Sequence, residues 1–188
     1  MKLLFSLCIF LIVSSQAHAL DTPDAQLQSM IKALKSVAKN NEPSYKSVDP
    51  YIDFDTLTLR SIKPHIDKFS DKQIKQFTKT FGTLIRAIAY PQSSTFYKDA
   101  KANYESAEIN GKTALIHSQT TIEKEDFEMD VGYEMTKSTA WRLTDLYIDE
   151  DSLVKDYQNQ FGRIISKDGV DGLIQKVKEK LAEVEAEK

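Results

Sequence analysis

The chain has 188 residues, 41% of them hydrophobic and 28% charged, with a formal net charge of −3. That length suits one domain with a real core, and the mildly acidic balance argues against nucleic acid or an anionic lipid surface as a tight partner. One cysteine and three histidines leave little room for thiol or metal chemistry.

The first residues read as a leader. Met1-Lys2 is a short basic start, residues 3–13 are almost wholly apolar, and Ser14-Ser15-Gln16 is a polar bridge. Ala17-His18-Ala19 is a small-x-small cleavage signal. This order predicts a secretory signal peptide over residues 1–19, removed on export, rather than a retained anchor; it is too short and wrongly flanked for a span. Cys8 follows Leu7 and not the small residue of a lipoprotein signal. The expected mature protein starts near Leu20 and is soluble. It has lost Cys8, so it forms no internal disulfide and is held by packing alone.

The mature chain then alternates between two periodicities. Residues 24–39 place Leu27, Met30, Ile31, Leu34 and Val37 at helical spacing, ended by Asn40-Asn41-Glu42-Pro43. A second helix is expected over 52–62, with Phe54, Leu57 and Ile62 inward and Pro64 as its breaker. Asp53 and Asp55 favour its start electrostatically. Ser70 and Gln73 make a capping box for a third helix, in which Ile74, Phe77, Phe81, Leu84, Ile85 and Ile88 form a wide apolar stripe. Tyr90-Pro91 is expected to stop it. Gly82 lies mid-helix, where it costs about 1 kcal/mol against alanine; it either permits close approach of a neighbour or ligand or is simply tolerated.

From about Phe96 the period becomes two. Residues 102–109 read as a strand, Asn110-Gly111 as a hairpin turn, and 112–122 as the partner. Glu123-Lys124-Glu125 turns the chain. Phe127, Met129, Val131, Tyr133 and Met135 then alternate with wet positions, a half-buried strand. A turn at 136–138 leads to a strand over 139–148 that holds Trp141. Two helices follow, the first beginning near Asp149 with Leu153, Val154, Tyr157, Phe161, Ile164 and Ile165 on one face. Lys167-Asp168-Gly169 ends it, and Val170, Leu173, Ile174, Val177 and Leu181 make the next stripe. The sum is an α+β domain over residues 20–182, a four-strand antiparallel sheet with helices before and after it, and a frayed charged tail at 183–188.

Catalytic signatures are sparse. His65 and His117 fall in different elements without ligand-spaced partners, and no phosphate loop, nucleophile elbow or metalloprotease box occurs. Asp145, on the tryptophan strand, is the best candidate for a general base, though an aspartate there more simply satisfies backbone donors.

Trp141-Arg142-Leu143-Thr144-Asp145, Ser152-Leu153-Val154, Tyr157, Phe161, Ile164 and Gly169-x-Asp171-Gly172-Leu173-Ile174 together resemble the periplasmic MlaC/toluene-tolerance phospholipid-binding family. Phe54-Asp55-Thr56-Leu57-Thr58 and the Ser70–Phe81 helix resemble it too. The likeness runs from about Ala25 to Lys180. One departure is Glu150-Asp151, where the family usually has a glycine with a hydrophobic residue.

The resemblance implies a curved sheet wrapped by helices, akin to the nuclear-transport-factor-like (NTF2-like) cone. It implies a non-enzymatic, monomeric periplasmic carrier with no cofactor and a phospholipid as cargo. Its implied partners are an outer-membrane lipoprotein–porin complex and an inner-membrane ABC transporter bearing an MCE-domain subunit, and its implied role is maintenance of outer-membrane lipid asymmetry. Hiding acyl chains needs a deep apolar lining with few polar demands. The strand face of Phe127, Met129, Val131, Tyr133 and Met135 can supply one wall. Stripes with Phe81, Leu84, Ile88, Leu153, Tyr157 and Phe161 can supply the other, and methionines suit a lining that adapts to different chains. Each of these residues fits an ordinary core equally well, because core and pocket share one pattern. An enzyme of the same cone fold acting on a small hydrophobic substrate, or an envelope adaptor that binds protein alone, are the other readings.

Overall fold

The computed structural model describes residues 21–38, 41–122 and 126–187. The leader with Cys8, Asn40 and the turn at Glu123-Lys124-Glu125 lie outside the described residues. Helix α1 (Pro23–Lys35) starts at Thr22, whose hydroxyl accepts the Ala25 N–H at 3.2 Å, with Pro23 in the first turn. A four-residue helix, α2 (Glu42–Tyr45), follows, which the sequence reading did not anticipate. Helix α3 (Phe54–Ile62) is capped by Asp53, which accepts the Thr56 N–H at 3.0 Å, and carries Asp55 in its first turn. Pro64 falls in the 3₁₀ turn Lys63–Lys68 that ends it.

Helix α4 (Asp71–Asp99) has 29 residues. The capping box is present: Ser70 Oγ accepts the Gln73 N–H and Gln73 Oε1 accepts the Ser70 N–H. The expected stop at Tyr90-Pro91 is overturned, since Pro91 lies inside the helix. A proline inside a helix removes one helical bond and costs about 3 kcal/mol. Tertiary anchors on either side of it offset that cost: the Tyr90 hydroxyl donates to Asp49 Oδ1 at 2.9 Å, Ser94 Oγ to the Val37 carbonyl at 2.9 Å, and Tyr97 pairs with Tyr133.

The α+β class is as expected, but among the described residues the sheet has six strands rather than four: β1 (Lys101–Tyr104), β2 (Glu108–Asn110), β3 (Thr113–Ile122), β4 (Phe127–Lys137), β5 (Trp141–Ile148) and β6 (Asp151–Ser152). All pairs are antiparallel, in the order β1-β3-β4-β5-β6, with β2 also on β3. The single strand expected over 102–109 is split. Tyr104 faces Ser118 and Glu108 faces Leu115, so three residues of one strand span two of the other. Asp24 holds the interruption by accepting the Ala107 N–H at 3.0 Å. The last strand is a two-residue return after β5. Asp149 (φ 48°) and Glu150 (φ 71°) form its loop, a left-handed pair that matches the twist of a tight hairpin.

Helix α5 therefore begins at Leu153, not near Asp149, because residues 149–152 form that return. It runs Leu153–Ala186 and breaks at Gly169, whose φ of 71° and ψ of −179° is a region open essentially to glycine. This is the predicted stop. Tyr157 meets Phe81 and Phe161 meets Phe77, whereas Asp171 accepts from Gln73 and Glu185 lies beside Arg86. The first half of α5 thus runs antiparallel to α4 and the second half parallel to it. Residues 183–186, expected to fray, continue the helix because Val184 extends the Val177 and Leu181 stripe onto the helical core.

Two apolar cores result. One holds the inner sheet face, with Ala114, Ile116, Val131, Tyr133, Met135 and Leu143 covered by α1 and the second half of α4. The other joins α3, the first half of α4 and α5 around Phe77, Phe81, Phe161 and Leu173. Past β5 the chain makes a parallel bridge, Ile52 to Leu143, which covers that edge.

Two backbone substitutions test these turns. Gly169→Ala should lower stability by about 1–3 kcal/mol through its φ alone, read as a fall in urea midpoint. Glu150→Gly should raise Tm by about 1–4 °C, because relief of the left-handed strain exceeds the added unfolded-state entropy.

Candidate functional site

The inner face of β4 sets the site. Its side chains alternate as expected, and their exposure falls along the strand. Phe127 is 44% exposed, Met129 half-buried, Val131 at 2%, and Tyr133 and Met135 at 0%. Phe127 therefore marks an open end, beside the β3–β4 connection, and Met135 the deep end. Pairing brings Thr120 beside Met129, Ser118 beside Val131, Ile116 beside Tyr133 and Ala114 beside Met135.

What faces this wall differs from the expectation. The sheet residues pack with Leu27, Met30, Ile31 and Leu34 of α1 and with Tyr90 and Tyr97 of α4. Phe81, Leu84 and Phe161 are buried in the second core, with Ile88 and Tyr157 half-buried on it. Leu153 is half-buried in the first turn of α5. Met129, Val131, Tyr133 and Met135 thus sit in one cluster and Phe81, Leu84, Ile88, Tyr157 and Phe161 in the other, so the two groups are not opposed walls. The α1 stripe was legible as a helix face, but nothing in it said which surface it met. Tyr97 was missed because Pro91 read as the helix end.

The inner face is not wholly apolar. Tyr97 and Tyr133 share a buried hydrogen bond of 2.8 Å between hydroxyls. Ser118 and Thr120, both at 0% exposure, lie 3.1 Å apart. Burial pushes the Tyr97 hydroxyl well above the ordinary phenol range, as it does for Tyr104, where Tyr133 adds to the effect.

Asp145, the catalytic candidate, is occupied. Register shifts by one between Glu134 and Met135, so Thr144 bulges from β5 and Asp145 swings to the outer side of the sheet. There Oδ1 accepts the N–H of Leu146 at 2.8 Å and of Val154 at 3.0 Å. Oδ2 accepts the Ser152 hydroxyl at 2.6 Å and faces Arg60 Nη2 at 3.5 Å. A carboxylate has about four acceptor sites, and all are taken by the protein. Arg60 also pairs with Glu134, whose other oxygen accepts the Tyr147 hydroxyl at 2.9 Å. Burial and that carboxylate push the Tyr147 phenol up to about 12. The group binds α3, β4, β5 and the α5 N-terminus together and offers no free base.

On the far side of α4, a Cβ at Gly82 would meet Phe54 at 3.7 Å, an ordinary van der Waals contact, so the glycine is tolerated there and no close approach requires it. A cleft of about 650 Å³ opens there between α3 and α4. Its apolar floor includes Phe54, Leu59 and Ile74, and its rim Lys75, Lys79 and Arg86. His65 lies over Gly162 while His117 is on β3 opposite Gly132, so the two histidines share no site. Among the described residues no cluster of three His, Cys, Asp or Glu side chains could hold a metal ion, and no helix is long and apolar enough to cross a membrane.

Comparison with known proteins places this geometry. A family model described as MlaC protein matches residues 21–179. A protein of Haemophilus influenzae named intermembrane phospholipid transport system binding protein MlaC is 26% identical over 168 residues, 82% of this chain and 76% of the relative. A solved structure of a phospholipid-binding protein from Ralstonia solanacearum, in complex with a phospholipid, has a TM-score of 0.70. It is 20% identical and covers 86% of this chain and 95% of its own, a likeness of fold.

Asp145→Ala should leave buried donors at the α5 N-terminus and an unpaired Arg60. We expect a loss of about 3–5 kcal/mol in urea unfolding, large for one side chain.

Proposed function

The chain belongs to the MlaC protein family, and from that membership we propose that it is a phospholipid carrier of the periplasm. In this reading it binds and does not catalyse. Residues 1–19 are removed on export, and residues 20–182 form the single lipid-binding unit. It takes lipid between an outer-membrane lipoprotein–porin complex and an inner-membrane ABC transporter with an MCE-domain subunit, and so supports outer-membrane lipid asymmetry.

The observation that carries the reading is the family match over residues 21–179 falling on a graded, one-sided sheet face. The acyl chains lie along the inner face of β4, over Phe127, Met129, Val131, Tyr133 and Met135. Of the α4 and α5 residues expected as a second wall, Phe81, Leu84, Ile88, Tyr157 and Phe161 belong to the helical core, and Leu153 sits half-buried in the first turn of α5. The opposing cover is α1 and the second half of α4.

The physical requirement is severe and supports that arrangement. Each methylene kept from water is worth about 0.8 kcal/mol, so two chains of roughly 30 methylenes hold over 20 kcal/mol. The lining must nearly equal a bilayer in hydrophobicity, or the lipid cannot leave. Layers that separate must also part without breaking covalent bonds. With a single cysteine in the whole chain, no internal disulfide ties α1 or α4 to the sheet. Pro91 weakens α4 at the point where it passes from one core to the other.

Organic extraction of the purified protein, followed by mass spectrometry, should yield about one phospholipid per chain; reproducible absence of lipid from protein made in an envelope-bearing host would sink the proposal. Val131→Asp should abolish loading. Because Val131 is buried, Phe127→Asp at the open end serves as the companion: it should cut loading several-fold with an unchanged thermal melt.

A further inference from the structure

The sheet core contains hydroxyls that packing alone does not require. Tyr133, at 0% exposure, pairs with Tyr97 and has Ser118 and Tyr104 as further hydrogen-bonding neighbours. Ser118 continues the chain to Thr120. Phenylalanine at 97 and 133, and valine at 120, would fill nearly the same volume without bringing polar groups out of water.

Their position along the strands is ordered. Phe127 is exposed at the open end. Next inward come Thr120, opposite Met129, and then Ser118, opposite Val131 with Tyr104 on its other side. Tyr133 is one step deeper. Beyond it the inner face is apolar, with Ala114, Met135 and Leu143 in one row. From the mouth inward the order is exposed end, hydroxyls, hydrocarbon.

We propose that the hydroxyls of Tyr97, Tyr104, Ser118, Thr120 and Tyr133 form a belt that recognises the ester carbonyls of a diacyl glycerophospholipid. The proposal rests on the carrier reading and deepens it. A glycerophospholipid has the same sequence along its length: a hydrated headgroup, two neutral ester acceptors, then hydrocarbon. An ester carbonyl accepts hydrogen bonds and donates none, so it needs neutral donors. The phenols remain protonated donors throughout the physiological range, because burial holds Tyr97 and Tyr104 above their ordinary values. Two paired hydroxyls spend one proton between them, and the second can rotate toward an arriving carbonyl while the pair stays intact. No cation is part of the belt, so it discriminates at the glycerol esters and is indifferent to headgroup charge.

The test is a competition. Delipidated full-length mature protein is incubated with vesicles holding equal amounts of a diacyl phosphatidylcholine and its dialkyl ether analogue with the same chains. The bound lipid is then weighed by mass spectrometry. The wild-type protein should load ester over ether by about tenfold, the worth of two neutral hydrogen bonds. Tyr97→Phe with Tyr133→Phe should load both lipids about equally. Should the double variant fail to fold, Thr120→Val serves in its place and should narrow the ratio. Equal loading by the wild-type protein, or an undiminished preference in a folded variant, overturns the belt and leaves the carrier standing. Loading of neither lipid overturns the carrier reading itself.

Discussion

One face of the sheet has to be kept from water, and no covalent tie is available to do it. β3 and β4 present Ala114, Ile116, Val131, Tyr133 and Met135 inward. A sheet with one apolar face must find a second layer. Here α1 and the second half of α4 provide it through side-chain packing alone. That choice makes α4 the spine of the protein. Its first half belongs to the helical core and its second half to the sheet core, with Pro91 between them. One continuous helix thus ties the two packed bodies together.

The helical core is tied to the sheet by the buried polar group around Asp145. The Thr144 bulge turns Asp145 out of the inner-face row and into the seam of α3, β4 and α5. An unpaired carboxylate there would be intolerable, but four protein donors satisfy it. The same contacts start α5 at Ser152 and orient it along α4. The seam is tied by these polar contacts, whereas the cover of the sheet face is held by side-chain packing.

A carrier must also bind without holding too tightly. An apolar lining meets that condition because it returns to the tails about what the bilayer gives them. In the proposed carrier reading, selectivity comes from the few polar atoms of the inner face, where each hydrogen bond is a modest increment. The inner face has this composition, with hydroxyls toward the open end and methionine and aliphatic side chains at depth.

Much of this was legible from the chain. Period-two alternation at 127–135 specified a one-sided strand, the Ser70 and Gln73 pair marked the start of α4, and Gly169 marked the break in α5; each is a local signal with a local cause. Glu150 stood out in the sequence, and the structure places it at a φ of 71°, a left-handed conformation that favours glycine. What the chain by itself did not contain was which apolar face meets which. Pro91 reads as a stop because its penalty is local, while the anchors that offset it, on Asp49, Val37 and Tyr133, lie far away in sequence. Asp145 reads as a possible base because the bulge that turns it outward exists only once β4 and β5 pair. Phe81 and Val131 look like two walls of one pocket because both are apolar. Sequence determined the elements, their apolar faces and the resemblance; tertiary structure decided the pairing of those faces, because burial is non-directional and any apolar stripe can cover any other.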